Sequence, residues 1–183
     1  LAVSLAALAA SEGKQVLLID ADTWGGSIGQ VLGLVDEAPG IAAAARLSEQ
    51  GMLDVPRLSR VSPEVAPGLR VLTGLPRPDR WHEVRAAAMA DVLAVATRLA
   101  QVVIVDCGFA IEDDEELSYD TAAPRRNATT LASLAAADEL VVVGRAQRLA
   151  VHGQLDHGLS LSSLEWGAEA GDDTLSSEFL QAD

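Results

Sequence analysis

Three aspartates that follow apolar runs are the residues of this sequence best suited to chemistry. Asp20 ends the run at residues 15–19, Asp22 comes two residues later, and Asp106 ends the run at residues 102–105. A carboxylate at the end of a buried strand loses hydration unless it is hydrogen-bonded, paired or near a cation, so bound magnesium would stabilise it. Each aspartate could instead cap the turn or helix that follows it. Three of them at corresponding strand ends favour a functional site.

An alternation of helical and apolar segments predicts the elements that would position these aspartates. Helices are predicted over residues 1–12, 27–34, 40–50, 80–100 and 127–137, and strands over residues 15–19, 69–73, 102–105 and 139–143. The stretch that contains Pro56, Pro63 and Pro67 is predicted to be a loop. Four helix-to-strand units in series indicate an α/β fold, with a doubly wound, mostly parallel sheet and helices on both faces. Ligands bind beyond the carboxyl ends of such strands, where we expect the three aspartates to meet.

Length and composition indicate one main domain. The chain has 183 residues, of which 49% are hydrophobic, enough for a sizeable buried core. We predict an α/β domain over residues 1–155, followed by an acidic tail rich in Ser and Gly over residues 156–183. The tail contains no run typical of a strong strand, and we assign it no function.

Charge, cysteine content and hydropathy exclude several classes of protein. A formal net charge of -14 disfavours direct binding to nucleic acids or to anionic lipids. Cys107 is the sole cysteine, which excludes an intramolecular disulfide and a cysteine metal cluster and indicates a reducing, cytoplasmic location. The apolar stretch at residues 1–10 is shorter than the about 20 residues of a transmembrane helix, so we predict no transmembrane segment.

Three segments resemble the deviant Walker ATPases of the ParA, MinD and CpaE type, which act in septum-site determination, chromosome partitioning and pilus localisation. GKQVLLIDADTWGGSIGQVLGL, at residues 13–34, resembles the strand and switch I region that follow the phosphate-binding loop. VVIVDCG, at residues 102–108, is similar to the Walker B strand, and NATTLASLAAADELVVVG, at residues 127–144, to the helix and strand after it. The resemblance covers residues 1–150 and implies a P-loop NTPase fold of the SIMIBI type, with the N-terminal strand and Walker A loop lying before Leu1.

The resemblance also implies roles for single residues and a set of ligands. Asp22 would orient the water that attacks ATP, Asp106 would bind Mg²⁺ through water, and Asp20 would hold the magnesium shell or its waters. Gly25 and Gly26 would let switch I move. The family implies a positional switch that binds and hydrolyses ATP and forms an ATP-dependent homodimer. Because the 183 residues contain no Walker A loop, we expect them to bind ATP poorly on their own.

Three other interpretations stay open. A degenerate ATPase kept as a non-catalytic scaffold has the same composition and spacing. A Rossmann dinucleotide-binding domain would use Asp20 to bind ribose hydroxyls, and it requires a G-x-G-x-x-G loop that is not present in these residues. A response-regulator receiver also collects strand-end aspartates, but its late strand supplies a lysine, and the only lysine here is Lys14, before Asp20.

Some charged and aromatic residues near the aspartates also require interpretation. We interpret the acidic run at residues 112–116 as a solvated loop, although it could bind a basic partner or a second cation. We interpret Arg125 and Arg126 as surface charges near it, although they could contact nucleotide or a dimer partner. Trp24 lies beside the glycines of the predicted switch I, where it could pack against a partner or against the core.

Overall fold

The computed structural model describes residues 1–34, 39–112 and 125–144 and the backbone of residues 180–181. These residues belong to two compact units, Leu1–Ala136 and Ala137–Asp183. The helices of the first unit are α1 Ala2–Ser11, α2 Ile28–Val31, α3 Gly40–Glu49, α4 Val55–Val61, α5 Ala86–Leu99 and α6 Ala128–Ala135, with a 3₁₀ helix at Pro78–Glu83. Its strands are β1 Val16–Ala21, β2 Glu64–Ala66, β3 Leu69–Leu72 and β4 Val102–Cys107. None of the described helices is long and apolar enough to cross a membrane.

The first unit is built on a four-stranded sheet with the order β2-β3-β1-β4. Strand β1 is parallel to β3 and to β4, and Val16 lies opposite Leu69 on one side and Val102 on the other. Only β2, which pairs with β3, is antiparallel. The predicted α/β fold with a mostly parallel sheet is therefore confirmed.

Strand β1 contributes to hydrophobic cores on both faces of this sheet. All six of its residues are buried, and Leu17 and Ile19 pack in one core with residues of α3 and α5. Val16 and Leu18 belong to the other core, which includes residues of α1 and α2. Burial of each large aliphatic side chain contributes about 1.5–3 kcal/mol, so this alternation fixes β1 between two helical layers.

Strand β4 is half-buried, although its continuous apolar sequence is typical of a strand covered on both faces. It pairs with β1 on one side, and no strand among the described residues pairs with its other side. This edge position explains why β4 is less buried than its sequence predicts, because none of the described strands covers its other side.

Two predictions were wrong in part. The first half of the proline-containing stretch predicted as a loop forms α4, because Asp54 caps the helix by accepting the backbone N–H of Arg57 at 2.8 Å. Pro63 and Pro67 lie outside helices and strands, as predicted. Pro56 lies in the first turn of α4, where no intrahelical N–H donor is needed. The helix predicted over residues 80–100 begins at Ala86, after the separate 3₁₀ helix.

The second unit contains two short strands, β5 Glu139–Leu140 and β6 Leu180–Gln181, which pair antiparallel. The parallel strand predicted over residues 139–143 is thus wrong, since residues 141–144 have no regular structure. The side chains of Val142 and Val143 are exposed. Their β-branched side chains therefore do not pack against a sheet face, and it is this packing that stabilises valine in strands. The predicted boundary at residue 155 lies outside the described residues and stays a prediction.

Candidate functional site

The three aspartates singled out in the sequence come together at the carboxyl edge of the sheet. Asp20 and Asp106 are register partners at the ends of β1 and β4. The pKa of Asp20 is raised to about 6, mainly by burial and also by the charges of Asp106 and Asp22, while its backbone hydrogen bonds to Ile28 and Asp22 act in the opposite direction. Burial also raises the pKa of Asp106, and the charge of Asp22 acts in the same direction. The carboxylates are therefore close enough to repel one another, as expected for a site that takes up a cation.

Asp20 is held inside the protein by backbone hydrogen bonds. Its side chain is 1% exposed. Its Oδ2 accepts the N–H of Ile28 at 3.0 Å, and its Oδ1 accepts the N–H of Asp22 at 3.3 Å. A Cβ on Gly26 would lie 2.9 Å from Oδ1, and a Cβ on Gly74 would lie 2.5 Å from the carboxyl carbon. The structure thus gives Gly26 a packing role, because only glycine leaves room for this carboxylate.

Asp22 begins a tight turn that leaves one of its carboxylate oxygens for other partners. Its Oδ1 accepts the backbone N–H of Trp24 at 2.8 Å and of Gly25 at 3.1 Å. No hydrogen bond from the described residues reaches Oδ2. Gly25 has no steric need to be glycine, since an added Cβ would meet only the Asp22 carboxylate, at 3.8 Å. Oδ2 is therefore the atom of Asp22 that can accept a hydrogen bond from water.

Two glycines of the site, Gly74 and Gly108, were missed in the sequence. A Cβ on Gly108 would lie 2.9 Å from Oδ1 of Asp22 and 3.1 Å from the Trp24 ring. A signal for both was present, because Gly108 directly follows β4 and Gly74 lies two residues after β3, at the carboxyl edge where ligands and loops converge.

The carboxylates fit magnesium held through water better than direct coordination. No three His, Cys, Asp or Glu side chains of the described residues are grouped so that they could hold a metal ion. Magnesium commonly keeps several waters and uses one or two carboxylates. Asp106 is half-buried, whereas both oxygens of Asp20 are engaged by backbone donors. Asp106 is thus the better placed of the two to bind a hydrated ion.

Arg126 and Trp24 are part of the site, so the interpretation of Arg126 as a surface charge was wrong. Cζ of Arg126 lies 4.0 Å from the centroid of the Trp24 ring. The Trp24 side chain is 37% exposed and also contacts Phe109, with ring centroids 5.5 Å apart. Of the acidic run, only Glu112 is described, and residues 113–116 lie outside the described residues.

The raised pKa of Asp20 predicts a pH dependence of stability. A carboxyl group whose pKa rises on folding stabilises the folded state while it is protonated, and this contribution is lost as the pH rises through the folded pKa. Because the pKa of Asp20 is 3.8 ordinarily and about 6 in the folded protein, this group should lower the free energy of unfolding by on the order of 3 kcal/mol between pH 3 and pH 7. Urea unfolding at several pH values measures it.

Asp20→Asn is the informative variant, because asparagine does not ionise. It loses one acceptor for a backbone N–H, but that loss is the same at every pH. The curve of unfolding free energy against pH should therefore be flatter than that of the wild type. Asp79→Asn, at an exposed position, is the control and should keep the wild-type slope. Equal slopes in Asp20→Asn and wild type would contradict the burial argument.

Comparison with known proteins shows a similarity of fold. No protein-family model matches the chain, and no curated protein sequence matches it. Among solved structures, the chain is similar to the cell division ATPase MinD of Pyrococcus furiosus, with a TM-score of 0.54 and 14% sequence identity. The match covers 75% of this chain and 49% of that one, so the chain spans about half the length of that protein. The shared feature is the MinD-like α/β architecture described above.

Proposed function

We propose that this chain is the carboxylate-bearing part of an ATP-binding and ATP-hydrolysing positional switch of the ParA/MinD/CpaE type. The observation that carries the proposal is the convergence of Asp20, Asp22 and Asp106 at the carboxyl edge of a sheet with a MinD-like fold. Three carboxylates that repel one another favour a bound cation, and magnesium with a nucleotide phosphate supplies one.

In this proposal each carboxylate has a separate task. Asp106 would hold magnesium through water, and that ion, when bound, would supply charge neutralisation for phosphoryl transfer. Asp22 would accept a hydrogen bond from the attacking water at Oδ2 and so orient it. Asp20 accepts the N–H groups of Asp22 and Ile28, which keeps the loop after β1 in place.

Binding of the phosphates requires the clustered N–H groups and the cation of a phosphate-binding loop. The 183 residues have no Walker A motif, so we propose that a phosphate-binding loop outside them holds the β and γ phosphates. As parts of the same proposal, we infer a cytoplasmic location and an ATP-dependent homodimer.

The burial of Asp20 argues against the alternative of a dinucleotide-binding domain. An acidic residue that binds ribose hydroxyls must be reachable from the ligand cleft. Asp20 is 1% exposed, and its oxygens accept backbone N–H groups. A non-catalytic scaffold remains the other outcome of the tests below.

The test uses the protein expressed from the start codon of its gene. We expect ATP binding that depends on magnesium, and we expect Asp106→Asn to weaken it by about 10- to 100-fold, because an outer-shell carboxylate of the ion is lost. Isothermal titration with ATP, in magnesium and in EDTA, measures the effect. Asp79→Asn, an exposed acidic residue, is the matched control and should bind as the wild type does.

Two results would overturn this proposal. One is an affinity for ATP that is the same in the presence of magnesium and in the presence of EDTA. The other is NAD binding tighter than ATP binding, which would favour a dinucleotide-binding domain instead.

A further inference from the structure

Two residues at the start of α6 hold the turn that begins at Asp22. Nη2 of Arg126 donates to the carbonyl oxygen of Thr23 at 3.1 Å, and the guanidinium stacks over the Trp24 ring. Oδ1 of Asn127 accepts the indole N–H of Trp24 at 3.1 Å. We call Trp24, Arg126 and Asn127 the Trp24 latch. The latch joins the loop after β1 to a helix about 100 residues later in the sequence.

The same latch reaches the loop after β4. Nδ2 of Asn127 donates to the carbonyl oxygen of Glu112 at 2.9 Å. The loop after β1 carries Asp22, and β4 ends beside Asp106. The start of α6 thus connects the two segments that hold the carboxylates of the site. A substitution in the latch should therefore alter the position of both segments.

Arg126 is partly buried, which strengthens its contacts with the Thr23 carbonyl and the Trp24 ring. Its Nη1 is buried and has no hydrogen-bond partner among the described residues. Burial lowers the pKa of Arg126, and the Asp22 carboxylate acts in the opposite direction. An arginine stays charged even so, and a desolvated cation interacts with an indole more strongly than an exposed one does.

We propose that Arg126 is a positioning residue for Asp22, a role that rests on the proposed ATPase function. The backbone N–H groups of Trp24 and Gly25 bind Oδ1 of Asp22, so the orientation of that carboxylate depends on the turn. Arg126 fixes the turn from outside through the Thr23 carbonyl and the Trp24 ring. With the turn fixed, Oδ2 of Asp22 stays in one place for the attacking water.

The experiment compares Arg126→Gln, Arg126→Met and Arg126→Lys with Arg98→Gln in the protein expressed from the start codon of its gene. Arg98 is an exposed arginine at the end of α5 and serves as the control. We expect Gln and Met to lower single-turnover ATP hydrolysis by about 10-fold while the Kd for ATP changes by less than about threefold. Lys keeps the cation and a donor, so it should restore hydrolysis to within about threefold of wild type.

A spectroscopic measurement on the nucleotide-free protein reports on the latch itself. Trp81, Trp166 and any tryptophan outside these 183 residues are replaced by Phe, so that Trp24 is the remaining fluorophore. Trp81→Phe keeps an aromatic ring at the position that Arg126 contacts at 5.5 Å. Acrylamide quenching of its fluorescence should rise about twofold in Arg126→Gln and stay unchanged in Arg98→Gln, because the stacked guanidinium shields one face of the ring.

The outcomes separate the two proposals. Wild-type protein that neither binds nor hydrolyses ATP overturns the proposed function, and the positioning role with it. If the wild type hydrolyses ATP and Arg126→Gln or Arg126→Met hydrolyses it at the same rate, the positioning role alone is overturned. Equal losses in hydrolysis and ATP affinity would also overturn it, as they would point to a general loss of structure.

Discussion

Gly74→Ala is expected to lower the free energy of unfolding by about 3 kcal/mol, one of the largest effects of a single methyl group in this chain. The added Cβ would lie 2.5 Å from the carboxyl carbon of Asp20 and 2.7 Å from its Oδ1. Asp20 cannot move away without losing its bonds to Ile28 and Asp22. Urea unfolding at pH 7 measures the effect.

Gly25→Ala is the matched control, since its Cβ would make only an ordinary contact at 3.8 Å with the Asp22 side chain. It should change stability by less than about 0.5 kcal/mol. If the Asp20 carboxylate causes the clash, Asp20→Ala with Gly74→Ala should be less damaging than the sum of the single variants by about 1–2 kcal/mol. Additive effects would show that the clash is not the cause.

Asp22→Asn in the full protein is expected to lower ATP hydrolysis by about 100-fold or more, because a general base or water-orienting carboxylate typically contributes that much. Asparagine retains a side-chain oxygen for the N–H groups of Trp24 and Gly25, so the turn should persist. ATP affinity should therefore stay within about threefold of wild type. Single-turnover hydrolysis beside titration of ATP separates the two effects.

Asp22→Ala, which also removes the acceptor of the turn, should lose at least as much hydrolysis and should leave ATP binding in place. Asp79→Asn again serves as the exposed control. Unchanged hydrolysis in Asp22→Asn would contradict a role in orienting water, and it would make the non-catalytic scaffold the preferred interpretation.

The strand-end aspartates could be found from the sequence because their signal is local. The apolar runs at residues 15–19 and 102–105 each predict a strand, the next residue lies near its carboxyl end, and parallel winding brings such ends to one edge. The convergence of Asp20 and Asp106 follows from these rules and needs no knowledge of the register. The helix α4 was missed because proline was interpreted as a helix breaker, although Asp54 and Pro56 together make a favourable first turn.

The contacts of Gly74 and Arg126 could not be predicted because they depend on pairings distant in sequence. Gly74 approaches Asp20 only because β3 is the neighbour of β1, and nothing local in either segment specifies that order. Arg126 meets Trp24 across about 100 residues, and its own neighbourhood in the sequence resembles an exposed loop.

The position of β1 between β3 and β4 also has a consequence for synthesis on the ribosome. Residues 16–19 must wait for residues 69–72 before the first parallel pairing can form, and for residues 102–107 before the second. At about 5–20 residues per second, the fully buried strand of the sheet remains unpaired for on the order of seconds in the growing chain. During that interval the apolar side chains of β1 are exposed in an unpaired segment, which is the kind of segment prone to aggregation, and slower translation between β1 and β4 would lengthen this exposure.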